Sequence, residues 1–401
     1  MSKTIILTGA GGFLGKALLE DLALKRPEAR LVVLSRAESI ASLRERFAWI
    51  DNDRIEFIPI NLGQEDLGLS TSDRAVLVEQ ANEIWHLAGA TTFDEKKSAE
   101  LFEINVNGTG RLLALARKAK NLDNFYFTST AYIVGTDRKI IPEDELPPVA
   151  AFNNTYEETK WRAEKQVRDS GLPFTIFRPS IIMDQSNGRC GGESRMVYGY
   201  LLGLYSGLSK YFRAKRVSLR DHLANGHWLE CDFRLVGHNQ VAKNFVCVDD
   251  VVSTMMAIVA GPTSHRDRTY NLTSANPVFG WQVGQALESA LRINGIRFVG
   301  DKVPHASSAE ELVTRQTQSF SQYVRHSDPD WLTTNTDAAI LGQHERVCMS
   351  PELFTFLLRS FVEQFIINQP AQKHHHREHR DDEDCERVAS VEGAKGIAAI
   401  C

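Results

Sequence analysis

The sequence predicts an α/β protein built on a doubly wound parallel sheet, and three observations carry that prediction. Short β-branched runs alternate with helical segments through the first 180 residues. The first run passes through a four-glycine stretch, ILTGAGGFLGKALLE (6–20), into a helix. After Pro179 the alternation gives way to glycine-rich sequence at 188–203 and a basic stretch at 210–220.

The elements follow in order. TIILT is the first strand, 16–25 a helix, 31–34 a strand, a charged helical segment runs through Phe47, and 55–60 closes a βαβαβ unit. EIWHLAG (83–89), a helix over 105–120, NFYFTST (124–130), a helix over 156–170 and FTIFRPS (174–180) continue it. Six such strands make a doubly wound sheet. NFVCVDD (244–250) predicts one more strand.

Composition sets bounds on function. The chain has 401 residues, 43% apolar and 24% charged, enough to bury one large core or two smaller ones. A formal charge of −5 without a basic stripe argues against nucleic acid as a partner. Cys190, Cys231, Cys247, Cys348, Cys385 and Cys401 show no CxxC spacing, and the amino terminus lacks a charged-then-apolar leader, so a reducing, cytoplasmic setting is expected. The apolar stretches at 196–208 and 353–367 are broken by polar residues and do not read as bilayer spans, which leaves peripheral membrane contact open. The 353–367 stretch has the spacing of a helix packed on the body of the protein. His374, His375, His376 and His379 stand in a charged tail without neighbouring cysteines, and no metal is expected.

Gly9, Gly12 and Gly15 form G-x-x-G-x-x-G between a strand and a helix. Glycines there permit a tight turn and close approach of backbone to a pyrophosphate, while the first helical N–H groups favour an anion. The segment is therefore read as a dinucleotide corner, although a plain strand-turn-helix corner also uses glycine. The second strand ends Leu34-Ser35-Arg36, with no carboxylate for ribose hydroxyls. Arg36 suits a 2′-phosphate, which favours NADPH over NADH; the competing reading is a solvated arginine opening a loop.

Tyr156 and Lys160 stand four apart in YEETK, on one helical face. A cation beside a phenol favours the phenolate and brings it toward useful proton transfer near neutral pH. The pair gains weight by following the glycine corner and FTSTAYIVG in that order.

Together TGAGGFLGKALLE, VVLSRAES, HLAGATTFDE, NVNGTGRLLALA, FTSTAYIVG, YEETKWRAE and FRPSII resemble the extended short-chain dehydrogenase/reductase family over residues 3–280. Within it they lie nearest the branch of fatty acyl-CoA reductases and the thioester-reductase domains of carboxylic acid reductases. The resemblance implies that Gly9, Gly12 and Gly15, with Phe13 and Leu14, hold the cofactor turn. It places Asn61 near the adenine, Leu62, Ala88 and Gly89 along the cofactor, and Pro179 beside the nicotinamide. Asn61 stands where the family often has Asp. Thr130 would hydrogen-bond the substrate carbonyl, Tyr156 would give the proton, and Lys160 would hold the nicotinamide ribose and lower the phenol pKa. Asn105 either supports the site or caps its helix.

The expected division is an NADP-binding Rossmann core (1–185 and 236–262), a smaller carboxyl-terminal substrate lobe (186–235 and 263–368) and a disordered tail (369–401). The expected activity is that of an NADP-dependent oxidoreductase, reducing an acyl thioester on CoA or a carrier to aldehyde, with onward reduction to alcohol open. Partners would be that small-molecule or carrier-bound acyl substrate, with a homodimer compatible. Two alternatives stand beside it. One is an alcohol, ketone or nucleotide-sugar enzyme of the same fold, although Ala131-Tyr132 after Thr130 departs from the Asp-Glu of sugar dehydratases. The other is a non-catalytic NADP-sensing or scaffold protein.

Overall fold

Seven parallel strands form the central sheet, in the spatial order Ile55–Pro59, Arg30–Ser35, Thr4–Thr8, Ala81–His86, Asn124–Thr128, Phe174–Pro179 and, at the edge, Arg268–Leu272. The computed structural model describes residues 2–136, 140, 142–149, 151–188, 195–262 and 264–368. The strands are β1 (Thr4–Thr8), β2 (Arg30–Ser35), β3 (Ile55–Pro59), β4 (Ala81–His86), β5 (Asn124–Thr128) and β6 (Phe174–Pro179). Helices α1 (Phe13–Lys25), α2 (Ala37–Arg46) and α3 (Thr71–Gln80) make the first crossovers.

Alternation along each strand divides the sheet's two cores. Ile5, Leu7, Leu31, Val33, Trp85, Tyr126 and Phe177 pack beneath α1 and the Val248–Ala260 helix. Ile6, Val32, Leu34, Ile84, Phe125, Phe127 and Ile176 face the other way, against Leu112, Leu113, Ala163 and Val167. Successive side chains point to opposite faces, and helices cover both, so the strands read as continuous apolar runs. A third core lies in the lobe. It joins the helices Arg195–Arg213, Gly280–Leu291, Ser308–Gln316 and Pro351–Val362, the last of which packs its apolar stripe inward.

The structure departs from the sequence expectations at three places. The sheet has seven strands, not six: Arg268–Leu272 pairs with β6, and the Thr334–Ile340 helix packs on it. Within the stretch 263–368 expected in the lobe, these two elements thus belong to the sheet body. In NFVCVDD only Phe245–Cys247 is a strand, paired with Ile181–Met183 outside the main sheet, and Val248 starts a helix. The helix expected over 105–120 begins at Ser98 and passes through a π-helical turn, Phe102–Asn107, before Gly108–Ala116. The expected tail, 369–401 with its histidines, lies outside the described residues. Among the described residues, no helix is long and apolar enough to cross a membrane.

Candidate active site

Because every strand of the sheet is parallel, the residues that follow β1, β2, β3, β4, β5 and β6 all emerge at one edge. Gly9–Gly15, Arg36, Asn61, Leu62, Ala88, Gly89, Thr130 and Pro179 therefore share the carboxyl rim.

The glycine corner is closed by backbone. Gly9 has φ +83, and a Cβ on it would lie 2.5 Å from the Ala88 nitrogen. A Cβ on Gly15 would strike the Gly9 carbonyl, and the Gly12 N–H donates to that same oxygen at 2.9 Å. Gly12 is the N-cap of α1 and offers no side chain to its first N–H groups, which suits an anion at the helix end. A nicotinamide dinucleotide fits a corner of this shape. Phe13 and Leu14 open the helix, with Leu14 buried.

Beneath the corner lies a relay that sequence reading left out. His86 is fully buried; its Nδ1 meets Thr8 Oγ1 at 2.8 Å and its Nε2 meets Thr109 Oγ1 at 2.9 Å. Thr109 gives its own proton to the Asn105 carbonyl, so His86 Nε2–H must donate to it. The network thus assigns the Nε2–H tautomer, with Thr8 donating to Nδ1 while accepting from the Ala88 N–H. Burial first, and then the Lys160 charge, push the His86 pKa down to about 3, so the ring is neutral.

Asn105 belongs to the π turn and is no helix cap. Its Oδ1 accepts from the Ala90 N–H, and its Nδ2 donates to the Ala90 carbonyl and to Thr159 Oγ1, at 2.7, 3.0 and 3.0 Å. It ties the loop after β4, where a Cβ on Gly89 would press on it, to the helix carrying Tyr156 and Lys160.

That helix, Thr155–Arg168, is capped by Asn154, whose Oδ1 accepts the Glu157 N–H. Lys160 is buried and donates to the Thr128 carbonyl at the end of β5, at 2.5 Å, with its ammonium 4.5 Å from the Phe127 ring centre. Burial pushes its pKa down to about 8 against the attraction of Glu164. One turn below, Glu164 is locked to Arg178 of β6 by Nε–Oε2 and Nη2–Oε1 bonds of 3.1 and 2.5 Å. Burial alone would raise the Glu164 carboxyl, but Arg178 and Arg168 outweigh it and hold it low. Thr130 leaves the same strand end as an extended residue; its hydroxyl accepts from the Tyr132 N–H at 3.3 Å and reaches the Pro179 carbonyl at 3.5 Å. These long bonds leave its proton weakly held.

The rim at β2 and β3 is more open. Arg36 is 40% exposed and pairs with Glu38 at 3.3 Å. Asn61 is exposed, with Oδ1 holding the Gly63 N–H, while Leu62 packs against Gly108. The expected residues therefore fall into two groups: Gly89, Asn105, Thr130, Lys160 and Pro179 meet around the end of β5, and Arg36 and Asn61 stand apart at the end expected to take the adenosine.

An aromatic wall adds residues the sequence did not single out. Phe93 lies edge-on to Tyr156, ring centres 6.0 Å apart, and also meets Phe320 at 6.1 Å and Tyr323 at 5.6 Å. Phe320 and Tyr323 in turn line a largely apolar cavity in the lobe, with Val197, Val283, Phe354 and Leu358. Phe93 stood in the conspicuous run GATTFDE; Tyr323 carried no local signal.

Comparisons with known proteins give the chain a family and a fold. The profile of an NAD-binding family described as "Male sterility protein" matches residues 7–226. Fatty acyl-CoA reductase 1 of Rattus norvegicus is 29% identical over 346 residues, covering 74% of this chain and 63% of the rat protein. The Mus musculus protein of that name is 32% identical over 328 residues, covering 70% and 59%. The chain thus spans less than two thirds of either relative. Among solved structures, the terminal R domain of the myxalamid PKS-NRPS pathway superposes with a TM-score of 0.71 at 24% identity, over 92% of this chain and 93% of that one. UDP-glucuronic acid 4-epimerase from Bacillus cereus, in complex with UDP-glucuronic acid and NAD, gives 0.63 at 15% identity, over 90% and 100%. Both share the fold.

Proposed function

The chain belongs to the male sterility protein family, within the extended short-chain dehydrogenases/reductases, and from that premise we propose that it reduces acyl thioesters with NADPH. The observation that carries the reading is the Lys160 ammonium, buried one helical turn from Tyr156 and pinned to the end of β5 beside Thr130. The cofactor, when bound, supplies a hydride to the thioester carbonyl.

The chain's own groups do the rest. Thr130 and Tyr156 donate hydrogen bonds to the carbonyl oxygen as it gains charge, and Tyr156 releases its proton there. Lys160 favours the resulting phenolate by Coulomb attraction in a dry setting. One hydride and one proton convert the thioester to a hemithioacetal, which expels the thiol and leaves an aldehyde. Arg36, at the end of β2 with no carboxylate in the place usual for ribose hydroxyls, pairs with the exposed Glu38 and presents a forked cation that suits a 2′-phosphate, which supports NADPH over NADH.

The test is a spectrophotometric assay of NADPH and NADH oxidation against acyl-CoAs, aldehydes, ketones and nucleotide sugars, with products identified. Aldehyde and free CoA from acyl-CoA are expected, and Tyr156→Phe should abolish them while cofactor binding persists. Turnover with sugars or ketones but with no thioester would refute the reading.

A further inference from the structure

The segment from Phe320 to Trp331 grips both arms of the candidate site. On the helix arm, the Tyr323 hydroxyl donates to Glu157 Oε1 at 2.7 Å and accepts from Asn154 Nδ2 at 2.8 Å. Asn154 is the helix cap and Glu157 is next to Tyr156, so a single hydroxyl braces the turn carrying the phenol. Glu157 is fully buried, and the Asn153 N–H and side-chain amide satisfy its other oxygen. On the strand arm, the Trp331 indole N–H donates to the Ala131 carbonyl at 3.0 Å, and Tyr132 gives its hydroxyl proton to Asp328 at 2.8 Å. Lys243 completes the Asp328 carboxylate at 2.5 Å and lies 5.4 Å from the Tyr323 ring centre.

Tyr323 also lines the lobe cavity, whose wall is largely apolar. Phe320 lines it beside Tyr323, and Phe93 bridges both rings to Tyr156. One side chain therefore touches the cavity, the helix cap and the wall against the phenol. Polar groups inside such a network are costly to leave unmatched, so the ring and its two partners move together.

We propose that Tyr323 is a positioning residue that couples the aliphatic chain of the acyl substrate, lying in the lobe cavity, to the orientation of Tyr156. The proposal rests on the thioester reading and adds to it. A chain that fills the cavity packs on the Tyr323 and Phe320 rings and holds the cap turn in its reactive arrangement. A short acyl group leaves that contact unmade. Binding energy from the remote chain then appears in kcat as well as in KM, as expected when distant contacts stabilise the reacting geometry.

The experiment compares dodecanoyl-CoA with acetyl-CoA in the full chain. For the native protein, kcat is expected to be about 10-fold higher or more with dodecanoyl-CoA. Tyr323→Phe keeps the ring against the cavity and removes the hydroxyl tie. It should shrink that kcat ratio to roughly 2-fold while leaving the KM for dodecanoyl-CoA within about 2-fold. Val283→Trp, which fills the cavity from another helix, should cost dodecanoyl-CoA turnover in preference to acetyl-CoA turnover. Equal loss of kcat on both substrates in Tyr323→Phe would mark a merely structural hydroxyl and overturn the proposal, as would a native protein indifferent to chain length. A second readout does not need turnover: amide hydrogen exchange over residues 154–160 should slow with dodecanoyl-CoA but not with free CoA, and Tyr323→Phe should lose the difference. If that protection appears without NADPH oxidation, the coupling stands and the thioester reading falls; if it is absent, the coupling falls.

Discussion

The glycine corner and the lobe wall border the same rim and are built on opposite principles. At the corner, recognition is a matter of backbone shape: Gly9 and Gly15 leave no room for a Cβ, and Thr8, His86 and Thr109 fix the floor with short hydroxyl bonds. The lobe wall is made of side-chain bulk, with Phe93 meeting Phe320 and Tyr323 from a distant segment of the chain. The difference teaches that the corner tolerates almost no substitution, whereas the wall can be recut to change what is accepted.

The largest effect tests the seam between them. Tyr156→Phe is expected to lower kcat by about 1,000-fold, in the range for a lost general acid, with cofactor affinity changed by less than about 3-fold. Stopped-flow turnover and fluorescence titration of bound NADPH would check it. If affinity fell with turnover, the phenol would belong to the corner and not to the chemistry.

Gly15→Ala attacks the corner alone. Its Cβ would collide with the Gly9 carbonyl, a backbone atom with no freedom to yield, so a loss of about 3 kcal/mol of stability is expected. Chemical denaturation would measure it, and an unchanged midpoint would show that the corner yields more than its close backbone contacts imply.

Lys160 should show the opposite balance, favouring function over stability. Its pKa is pushed down to about 8 by burial, so the folded chain holds this proton less tightly than the unfolded chain does. Below about pH 8 the full cost of burying the charge is present, ~3 kcal/mol from the shift, and it is relieved as pH rises from 8 toward the ordinary lysine value. Lys160→Met removes that cost and forfeits the bond to the Thr128 carbonyl. A net gain of ~2 kcal/mol at pH 7 is expected, shrinking by pH 10, with turnover lost. Urea midpoints at the two pH values decide the matter.

The smallest effect lies at the open rim. Arg36→Ala should reduce the preference for NADPH over NADH by about 10-fold, measured as the ratio of kcat/KM values, and leave stability unaltered because the side chain is 40% exposed.

What could be read from sequence follows the same division. The glycine corner and the Tyr156–Lys160 pair depend on spacing within a few residues, and local spacing survives without coordinates. His86 was visible only as a histidine at a strand end, because its partners Thr8 and Thr109 lie 78 and 23 residues away. The seventh strand, RTYNL, lacks an apolar period. Its Asn271 is buried because the backbone N–H meets Glu143 and the side chain meets the Leu332 carbonyl, contacts no window on the sequence displays. In NFVCVDD the paired aspartates belong to a helix's first turn, where carboxylates suit the dipole, yet the β-branched run ahead of them reads as strand. Tyr323 meets Glu157 across 166 residues, a pairing set by how the lobe folds back.

The imidazole beneath the corner has one more consequence. With its protonation midpoint near 3, it stays uncharged through any acidification a living compartment undergoes, so it serves as an inert spacer whose two nitrogens merely set a length. Mild acid therefore leaves this part of the floor unchanged, while on the alkaline side the Lys160 ammonium, its pKa pushed down to about 8 by burial, gives up its charge well before an exposed lysine would.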